Sequence, residues 1–219
     1  KMAFIRATEP GDQVAAPKLA AQYRSREELK MRESLSAWGR ARWPEARQIH
    51  ELVMSRGTVR ADMAFASPAD LVAVEIKSEH DNTARLCHQV CMFRLAVPEL
   101  WVAFGKRHAG DAALIRYLLP SVGLLSVDGE SVEVVAAAER FAPHPEALLS
   151  LLWVAELHTE ARAAGLLQSG KPPTHAGLVK LLSSLNPDQQ LVAVARQLRG
   201  RDAFWRADPP IRLTPPGSS

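Results

Sequence analysis

Two carboxylates and a lysine lie close together in the sequence, in segments that read as neighbouring strands. The segment LVAVEIKS at residues 71–78 begins with four apolar residues and then carries Glu75 and Lys77. Alternation along a strand places Glu75 and Lys77 on one face, about 7 Å apart. Asp62 lies in the preceding segment, TVRADMAFA at residues 58–66, and reaches the same face if the two segments pair as a hairpin. The pattern predicts that these three side chains converge at one end of a sheet.

These side chains combine metal-ligating oxygens with an ammonium group. Two close carboxylates are costly to ionise unless a cation neutralises them, and hard oxygen ligands suit Mg²⁺ or Mn²⁺. Asp62, Glu75 and the main-chain carbonyl of Ile76 form a candidate metal site that polarises a phosphodiester or a bound water. Lys77 then positions the water or stabilises charge on the phosphate. The residue types favour metal-assisted phosphodiester hydrolysis, although a Glu-X-Lys triplet alone usually belongs to a solvated strand face.

The segments around these residues predict a mixed-sheet α/β core. Hydrophobic periodicity changes between about 3.6 and 2 along the chain. The predicted elements are helices at about residues 16–43, 82–97 and 111–119, strands at 46–54, 58–66, 71–78 and 99–105, and a hairpin at 123–135. Helical patterns alone follow residue 140. The predicted domain organisation is a flexible lead-in at 1–17, the α/β core at 18–140, a helical C-terminal extension at 141–207 and an irregular tail at 208–219.

Composition places few limits on the function. The chain has 219 residues, with 47% hydrophobic and 23% charged residues, which suits one mid-sized globular core. The net charge of +3 permits a nucleic-acid partner without arguing for one. No phosphate-binding loop of the G-x-x-x-x-G-K-[ST] type is present, so ATP hydrolysis is not expected. No run of residues is long and apolar enough for a membrane span, and a cytoplasmic protein without a membrane partner is expected.

The two cysteines, Cys87 and Cys91, lie four residues apart in a predicted helix. A structural zinc site normally has four converging ligands, and no second cysteine pair exists. Inert thiols on the core side of the helix are therefore expected.

The span from about Arg47 to His108 resembles the PD-(D/E)XK nuclease superfamily, the restriction-endonuclease-like fold. Asp62 matches the motif aspartate, and the EIK tripeptide that starts at Glu75 matches E-X-K. The resemblance extends to an uncharacterised bacterial and phage branch with the ordered pattern E-L, G, R-x-D-x-A, E-I-K-S, D, R-L, Q and a late H. This sequence matches that pattern with Glu51-Leu52, Gly57, Arg60, Asp62, Ala64, Glu75 to Ser78, Asp81, Arg85-Leu86, Gln89 and His108.

The resemblance implies a metal-dependent deoxyribonuclease with a restriction-endonuclease-like mixed β-sheet core flanked by helices. It implies Mg²⁺ (or Mn²⁺) as cofactor and a role in DNA repair, recombination or phage DNA processing. Asp62, Glu75 and Lys77 would form the catalytic centre, with Glu51 as an additional metal or water ligand. Gln89 would contribute from the helix after the motif. That helix reads QVCMF, with phenylalanine in place of the tyrosine of RecB-like members.

Two arginines near the motif are candidate DNA contacts. Alternation places Arg60, Asp62 and Ala64 on one strand face, so Arg60 contacts phosphate or pairs with a carboxylate that it helps to hold. Arg85 precedes Gln89 by four residues and shares its helix face. The alternative for this pair is an ordinary polar stripe.

Three further residues complete the predicted DNA-binding set. Ser78 directly follows the EIK tripeptide. Arg199 and Arg201 belong to a basic C-terminal helix, which either grips a nucleic-acid backbone or forms a solvated helix end with favourably placed cations.

Two other interpretations compete with the nuclease. The chain could be a non-cleaving nucleic-acid-binding module of the same fold within a larger complex. It could also be an interaction protein whose helical part docks a larger repair or phage assembly. DNA is the expected partner in the first two cases, and a homodimer is left open. The complete set of Asp62, Glu75 and Lys77 favours the nuclease.

Overall fold

A computed structural model gives the fold of most of the chain. It describes residues 26–54, 58–78, 81, 85–167 and 173–202. The predicted lead-in, the hairpin turn at 55–57, most of the joint at 168–174 and the predicted tail lie outside the described residues.

The described residues form an α/β fold, as predicted. The strands are β1 (Arg47–Met54), β2 (Val59–Ser67), β3 (Asp70–Lys77), β4 (Glu99–Phe104), β5 (Gly123–Asp128) and β6 (Ser131–Ala136). The α-helices are α1 (Arg26–Arg42), α2 (Leu86–Ala96), α3 (Ala109–Leu118), α4 (Pro145–Leu149), α5 (Val154–Ala163), α6 (His175–Leu182) and α7 (Pro187–Gly200). The predicted strands are confirmed. The first C-terminal helical pattern forms two helices, because a turn at 150–153 separates α4 from α5.

The six strands form one mixed sheet in the order β1-β2-β3-β4-β5-β6. Strands β1, β2 and β3 pair antiparallel, as do β5 and β6, whereas β4 is parallel to both β3 and β5. Parallel neighbours need a crossover, and α2 and α3 supply the two crossovers. The carboxyl ends of β3 and β4 therefore lie at the same end of the sheet, where the chain leaves for α2.

Each face of the sheet is covered by a separate hydrophobic cluster. Helix α1 covers one face, with Met31 and Leu35 packed against Phe65 and Trp101. The opposite face carries the larger cluster, to which α2 and all four C-terminal helices contribute. The helices after residue 140 thus complete the core of the sheet, and the domain boundaries predicted from the sequence stay predictions.

The alternation of side chains between the two sheet faces is interrupted in β1 and β2, near Glu51 and Asp62. In β2, the residues of the larger cluster include Val59, Ala61 and Ala64. Met63 and Phe65 belong to the cluster on the α1 side of the sheet. Regular alternation would have placed Ala64 on the opposite face from Ala61. The prediction that Ala64 shares a face with Asp62 and Arg60 is therefore wrong. On β1, Glu51 has a φ of 58°, a left-handed conformation that costs about 1–3 kcal/mol in residues other than glycine. This local change turns polar residues toward α1.

Helix α1 lies so close to the sheet that Gly39 has no room for a side chain. A Cβ atom at this position would overlap the ring of Phe65. We expect Gly39→Ala to lower the free energy of unfolding by about 1–3 kcal/mol through overpacking, although alanine has the higher helix propensity. Urea unfolding followed by circular dichroism measures the change.

Gly110→Ala is the matched control, because a Cβ atom at this position of α3 meets no atom within 4 Å. We expect its free energy of unfolding to stay equal or to rise by up to about 1 kcal/mol. If Gly39→Ala proved as stable as Gly110→Ala, the close approach of α1 to the sheet would be contradicted.

Candidate active site

The predicted catalytic residues converge at the end of the sheet where β2 and β3 stop pairing. The last paired residues there are Met63 and Val74, and Asp62 and Glu75 lie directly beyond them. The main-chain N–H of Ile76 donates a hydrogen bond of 2.7 Å to Asp62 Oδ2. The aspartate side chain thus takes the place of a main-chain acceptor, and this bond fixes its carboxylate beside β3.

Lys77 is held between the strand and the following helix. Its Nζ donates to Glu75 Oε1 at 2.7 Å and to Gln89 Oε1 of α2 at 3.2 Å. The side chains of Glu75 and Lys77 are only 2% and 10% exposed. Alternation correctly placed Glu75 and Lys77 on one face, because β3 keeps a regular period through its last residue. The ammonium group is therefore fixed in position with little contact to solvent.

A cleft of about 580 Å³ opens at this end of the sheet. The five predicted catalytic residues line it, together with the main-chain donor Ile76 and the predicted DNA contacts Arg60 and Arg85. Three further ionisable residues also line it, namely Glu28, Asp81 and His88; of these, only Asp81 was part of the sequence pattern, and none was predicted to act in the site. The cleft is therefore bordered by buried acids inside and by exposed cations at its rim.

Arg32 of α1 is the central contact that the sequence analysis missed. Its Nη2 lies 2.9 Å from Glu28 Oε1, 2.8 Å from Glu51 Oε1 and 3.0 Å from Asp62 Oδ1. Its Nη1 donates to the Asp62 carbonyl at 2.7 Å, and its side chain is 4% exposed. The one local signal was Glu28, four residues earlier on the same helix. Nothing in the sequence indicates that this helix lies over Glu51 and Asp62.

Burial controls the protonation of the two central carboxyls. Burial raises the pKa of Glu75 to about 8, and the nearby Asp62 carboxylate adds to this effect, while Lys77 opposes it. Burial also raises the pKa of Asp62, against the opposing effects of Arg32 and the Ile76 N–H. The two acids are thus costly to ionise together, which favours a proton or a further cation in the site.

The pKa of His50, next to the carboxylate site, is also shifted. Burial lowers the pKa of His50 to about 4, and Arg32 and Arg40 contribute to the decrease. Arg32 Nη1 lies 3.3 Å from His50 Nδ1, which fits a neutral ring that accepts a hydrogen bond. The imidazole therefore adds no positive charge to the site near neutral pH.

The donor atoms of the cleft fit Mg²⁺ or Mn²⁺. Glu75 Oε2 is buried and accepts no hydrogen bond from an N–H or ammonium group, and it lies beside the Asp62 carboxylate, with which the protonated acid can share a hydrogen bond. A carboxylate oxygen of this kind next to a second acid suits a hard divalent cation. Among the described residues, no set of three or more His, Cys, Asp or Glu side chains is arranged as a metal cluster. Any site here would therefore combine these carboxylates with main-chain oxygen, such as the predicted Ile76 carbonyl, or with water.

Glu51 and Arg60 pair with each other at the cleft. Glu51 Oε1 accepts from Arg32, and Oε2 contacts Arg60 Nε. Both carboxylate oxygens of Glu51 are thus engaged by arginines, and its role as a metal or water ligand stays a prediction. The side chain of Arg60 is 54% exposed, so it can pair with Glu51 and still meet a ligand from solvent.

Three predicted DNA contacts are engaged elsewhere. The Ser78 hydroxyl donates to Asp81 Oδ2 at 2.7 Å. Arg201 pairs with Glu156 at 2.6 Å and stacks on the Trp153 ring. Arg199 is buried. These contacts favour structural roles, and DNA binding by Ser78, Arg199 and Arg201 stays a prediction without support from their surroundings.

The prediction that the cysteines lie on the core side of their helix is wrong for Cys91, which is exposed. Cys87 is half-buried and packs against the larger cluster. The core face of α2 carries Leu86, Val90 and Phe93 instead. Cys91 follows the buried Val90 by one residue, which turns it about 100° away from the core face around the helix.

The fold and the site together define a mixed α/β protein. At one end of its sheet, a cleft contains buried and half-buried acidic residues that are paired with cations. Residues 23–210 match the family described as Bacteriophage P4 protein cII. This match covers well over half of the chain, and the protein belongs to that family. No curated protein matches the sequence. None of the described helices is long and apolar enough to cross a membrane.

One solved structure shows a weak similarity to this chain. It is a protein of unknown function from Silicibacter pomeroyi, with 17% sequence identity and a TM-score of 0.45. The alignment covers 68% of this chain and 100% of that chain. A similarity of this size carries no argument about the site.

The raised pKa of Glu75 predicts an unusual pH dependence of stability. In the unfolded chain this carboxyl titrates near 4.5, whereas in the folded protein its pKa is about 8. Between these values the folded state keeps a proton that the unfolded state has lost, so the free energy of unfolding falls as pH rises. From pH 5 to 8, with a chelator present, we expect the parent protein to lose stability relative to Glu75→Gln. The expected difference is a few kcal/mol at most, since one pKa unit corresponds to about 1.4 kcal/mol.

Urea unfolding at several pH values measures this difference. Glu33→Gln is the control, because Glu33 is an exposed glutamate of α1 and its replacement should leave the pH profile of the parent unchanged. Parallel pH profiles for the parent and Glu75→Gln would show that Glu75 is ionised throughout this range.

Proposed function

We propose that this protein is a metal-dependent deoxyribonuclease of the PD-(D/E)XK type that hydrolyses DNA phosphodiester bonds. The observation that carries the proposal is the convergence of Asp62, Glu75 and Lys77 in one cleft. The ordered match of the sequence to the nuclease pattern is the second support. A chance Glu-X-Lys triplet on a solvated strand would not bury its glutamate and lysine beside a second acid.

Each side chain has a role that follows from its contacts. Asp62 and Glu75 would hold Mg²⁺ or Mn²⁺, with the Ile76 carbonyl as a further ligand. When bound, the metal supplies Lewis-acid activation of the phosphodiester and of water. The Ile76 N–H orients the Asp62 carboxylate. Gln89 and Glu75 together orient Lys77, whose ammonium group positions the attacking water or stabilises the negative charge on the phosphate.

The rim of the cleft can attract a nucleic-acid backbone. Arg60 and Arg85 both line the cleft, and both are exposed in the structure. Exposed arginines at the mouth of a cleft attract phosphates electrostatically, without sequence specificity. Their placement supports DNA as the substrate, because phosphates attracted by these arginines would lie close to Lys77.

The family supports a phage setting for this activity. Its description names a protein of bacteriophage P4, which agrees with phage DNA processing as the role and with a cytoplasmic location where phage DNA is present. A homodimer and docking to a larger repair or phage assembly are compatible with this proposal.

One observation favours the alternative of a non-cleaving nucleic-acid-binding module. Arg32 already contacts the carboxylates of Glu51 and Asp62, and a site that keeps its own cation has less need of a metal. DNA binding without metal-dependent cleavage would support this module over the nuclease.

Cleavage assays with active-site variants test the nuclease. Supercoiled, linear, single-stranded and branched DNA are incubated with Mg²⁺, Mn²⁺ or a chelator. We expect metal-dependent cleavage by the parent protein. Asp62→Asn and Lys77→Ala should each lower the rate by about 10²–10³-fold or more, because each removes a group that acts on the charge of the transition state. Gel electrophoresis of the products measures the rate.

Lys180→Ala is the matched control, since Lys180 is an exposed lysine of α6 that does not line the cleft. Its rate should equal that of the parent. Cleavage that survives in Lys77→Ala and Asp62→Asn would point to a contaminating nuclease and overturn the proposal.

A further inference from the structure

Arg32 joins three carboxylates that come from three elements. Glu28 lies one turn earlier on α1, Glu51 lies on β1 and Asp62 lies on β2. The guanidinium reaches all three within 3.0 Å. It also donates to the Asp62 carbonyl. This single side chain therefore offsets part of the negative charge of Glu28, Glu51 and Asp62, which together form the acidic cluster.

The position of Arg32 overlaps with the proposed role of a metal. A divalent cation held by Asp62 needs the carboxylate that Arg32 Nη2 contacts at 3.0 Å. A metal beside a buried guanidinium would meet strong like-charge repulsion, since the interior screens charges poorly. Among the described carboxylate oxygens of the cleft, Glu75 Oε2 is buried and accepts no hydrogen bond from a cation or an N–H group, and it lies on the side of the cleft away from α1.

Arg32 also has a second anchor that does not depend on the sheet. Both its Nε and its Nη2 donate to Glu28 Oε1, at 3.0 and 2.9 Å. Because Glu28 is one turn away on the same helix, Arg32 can keep this pair while it releases Asp62 and Glu51. The side chain therefore has two sets of acidic partners, and only one of them belongs to the proposed metal site.

We propose that Arg32 is the resident counter-ion of the acidic cluster and competes with a divalent cation for Asp62 and Glu51. In the metal-free protein Arg32 pairs with the half-buried carboxylates of Glu28, Glu51 and Asp62 and stabilises the fold. Metal binding requires Arg32 to withdraw toward Glu28, which lowers the metal affinity of the site. The inference deepens the proposed nuclease by assigning a control on metal loading to this residue.

Removal of the guanidinium tests the competition directly. In a chelator, Arg32→Met should melt at a lower temperature than the parent, because three carboxylates lose their shared cation. Addition of Mn²⁺ should raise the melting temperature of Arg32→Met much more than that of the parent. Isothermal titration with Mn²⁺ should show about ten-fold tighter binding in the variant, because the metal no longer meets the like charge of Arg32. Equal or weaker Mn²⁺ binding would overturn the proposal.

Two further variants separate competition from general destabilisation. Arg32→Lys keeps the charge but loses the planar fork that bridges several carboxylates. We expect it to fold without metal and to bind Mn²⁺ with an affinity between those of the parent and Arg32→Met. An affinity equal to or below that of the parent would overturn the proposal. Arg196→Met removes an arginine from the buried Glu160 in the C-terminal helices. It should also melt earlier, but Mn²⁺ should not restore it.

The cleavage activity of the parent, measured in parallel, distinguishes the two proposals. Metal-dependent cleavage together with unchanged Mn²⁺ affinity in both Arg32 variants would overturn the counter-ion role and leave the nuclease standing. Tighter Mn²⁺ binding in the variants without cleavage by the parent would overturn the nuclease and leave the counter-ion role standing.

Discussion

The burial of two carboxylates at one end of the sheet is the constraint on which the site depends. The side chain of Glu75 is 2% exposed and that of Asp62, in the cleft wall, is 23% exposed, so water stabilises their charges only poorly, and burial raises the pKa of both. Each surrounding contact offsets part of that cost. Arg32 and the Ile76 N–H bind Asp62, whereas Lys77 binds Glu75. A buried acid is stable only with such partners, so the residues proposed to act in catalysis also stabilise one another in the fold.

The layered fold brings these partners from opposite sides. Helix α1 packs on one face and delivers Arg32, whereas α2 packs on the other and delivers Gln89. The left-handed conformation of Glu51 and the phase change in β1 and β2 turn two acids toward α1. The C-terminal helices pack on the same face as α2. Ion pairs among them, such as the buried Glu156 with Arg201, hold these helices together.

Regular parts of the chain were predictable, and irregular parts were not. Strand β3 keeps a strict period of two, so the common face of Glu75 and Lys77 could be deduced from alternation alone. Strand β2 changes phase beside Asp62, and alternation therefore failed for Ala64. Cys91 was misplaced because the core face of α2 begins one residue earlier than expected. In each case the error arose where packing against another element, rather than local periodicity, determined which way a side chain points.

The sequence by itself determined the order of strands and helices, the α/β class and the candidate group of Asp62, Glu75 and Lys77. These features follow from local periodicity and from residue types, which act over a few neighbouring residues. Only the tertiary structure placed Arg32 against Glu51 and Asp62, which lie 19 and 30 residues away along the chain. It also showed that Arg201 pairs with Glu156, whereas the sequence had suggested a basic surface that binds DNA. Contacts of this range depend on how α1 and the C-terminal helices pack on the sheet, which no local pattern encodes.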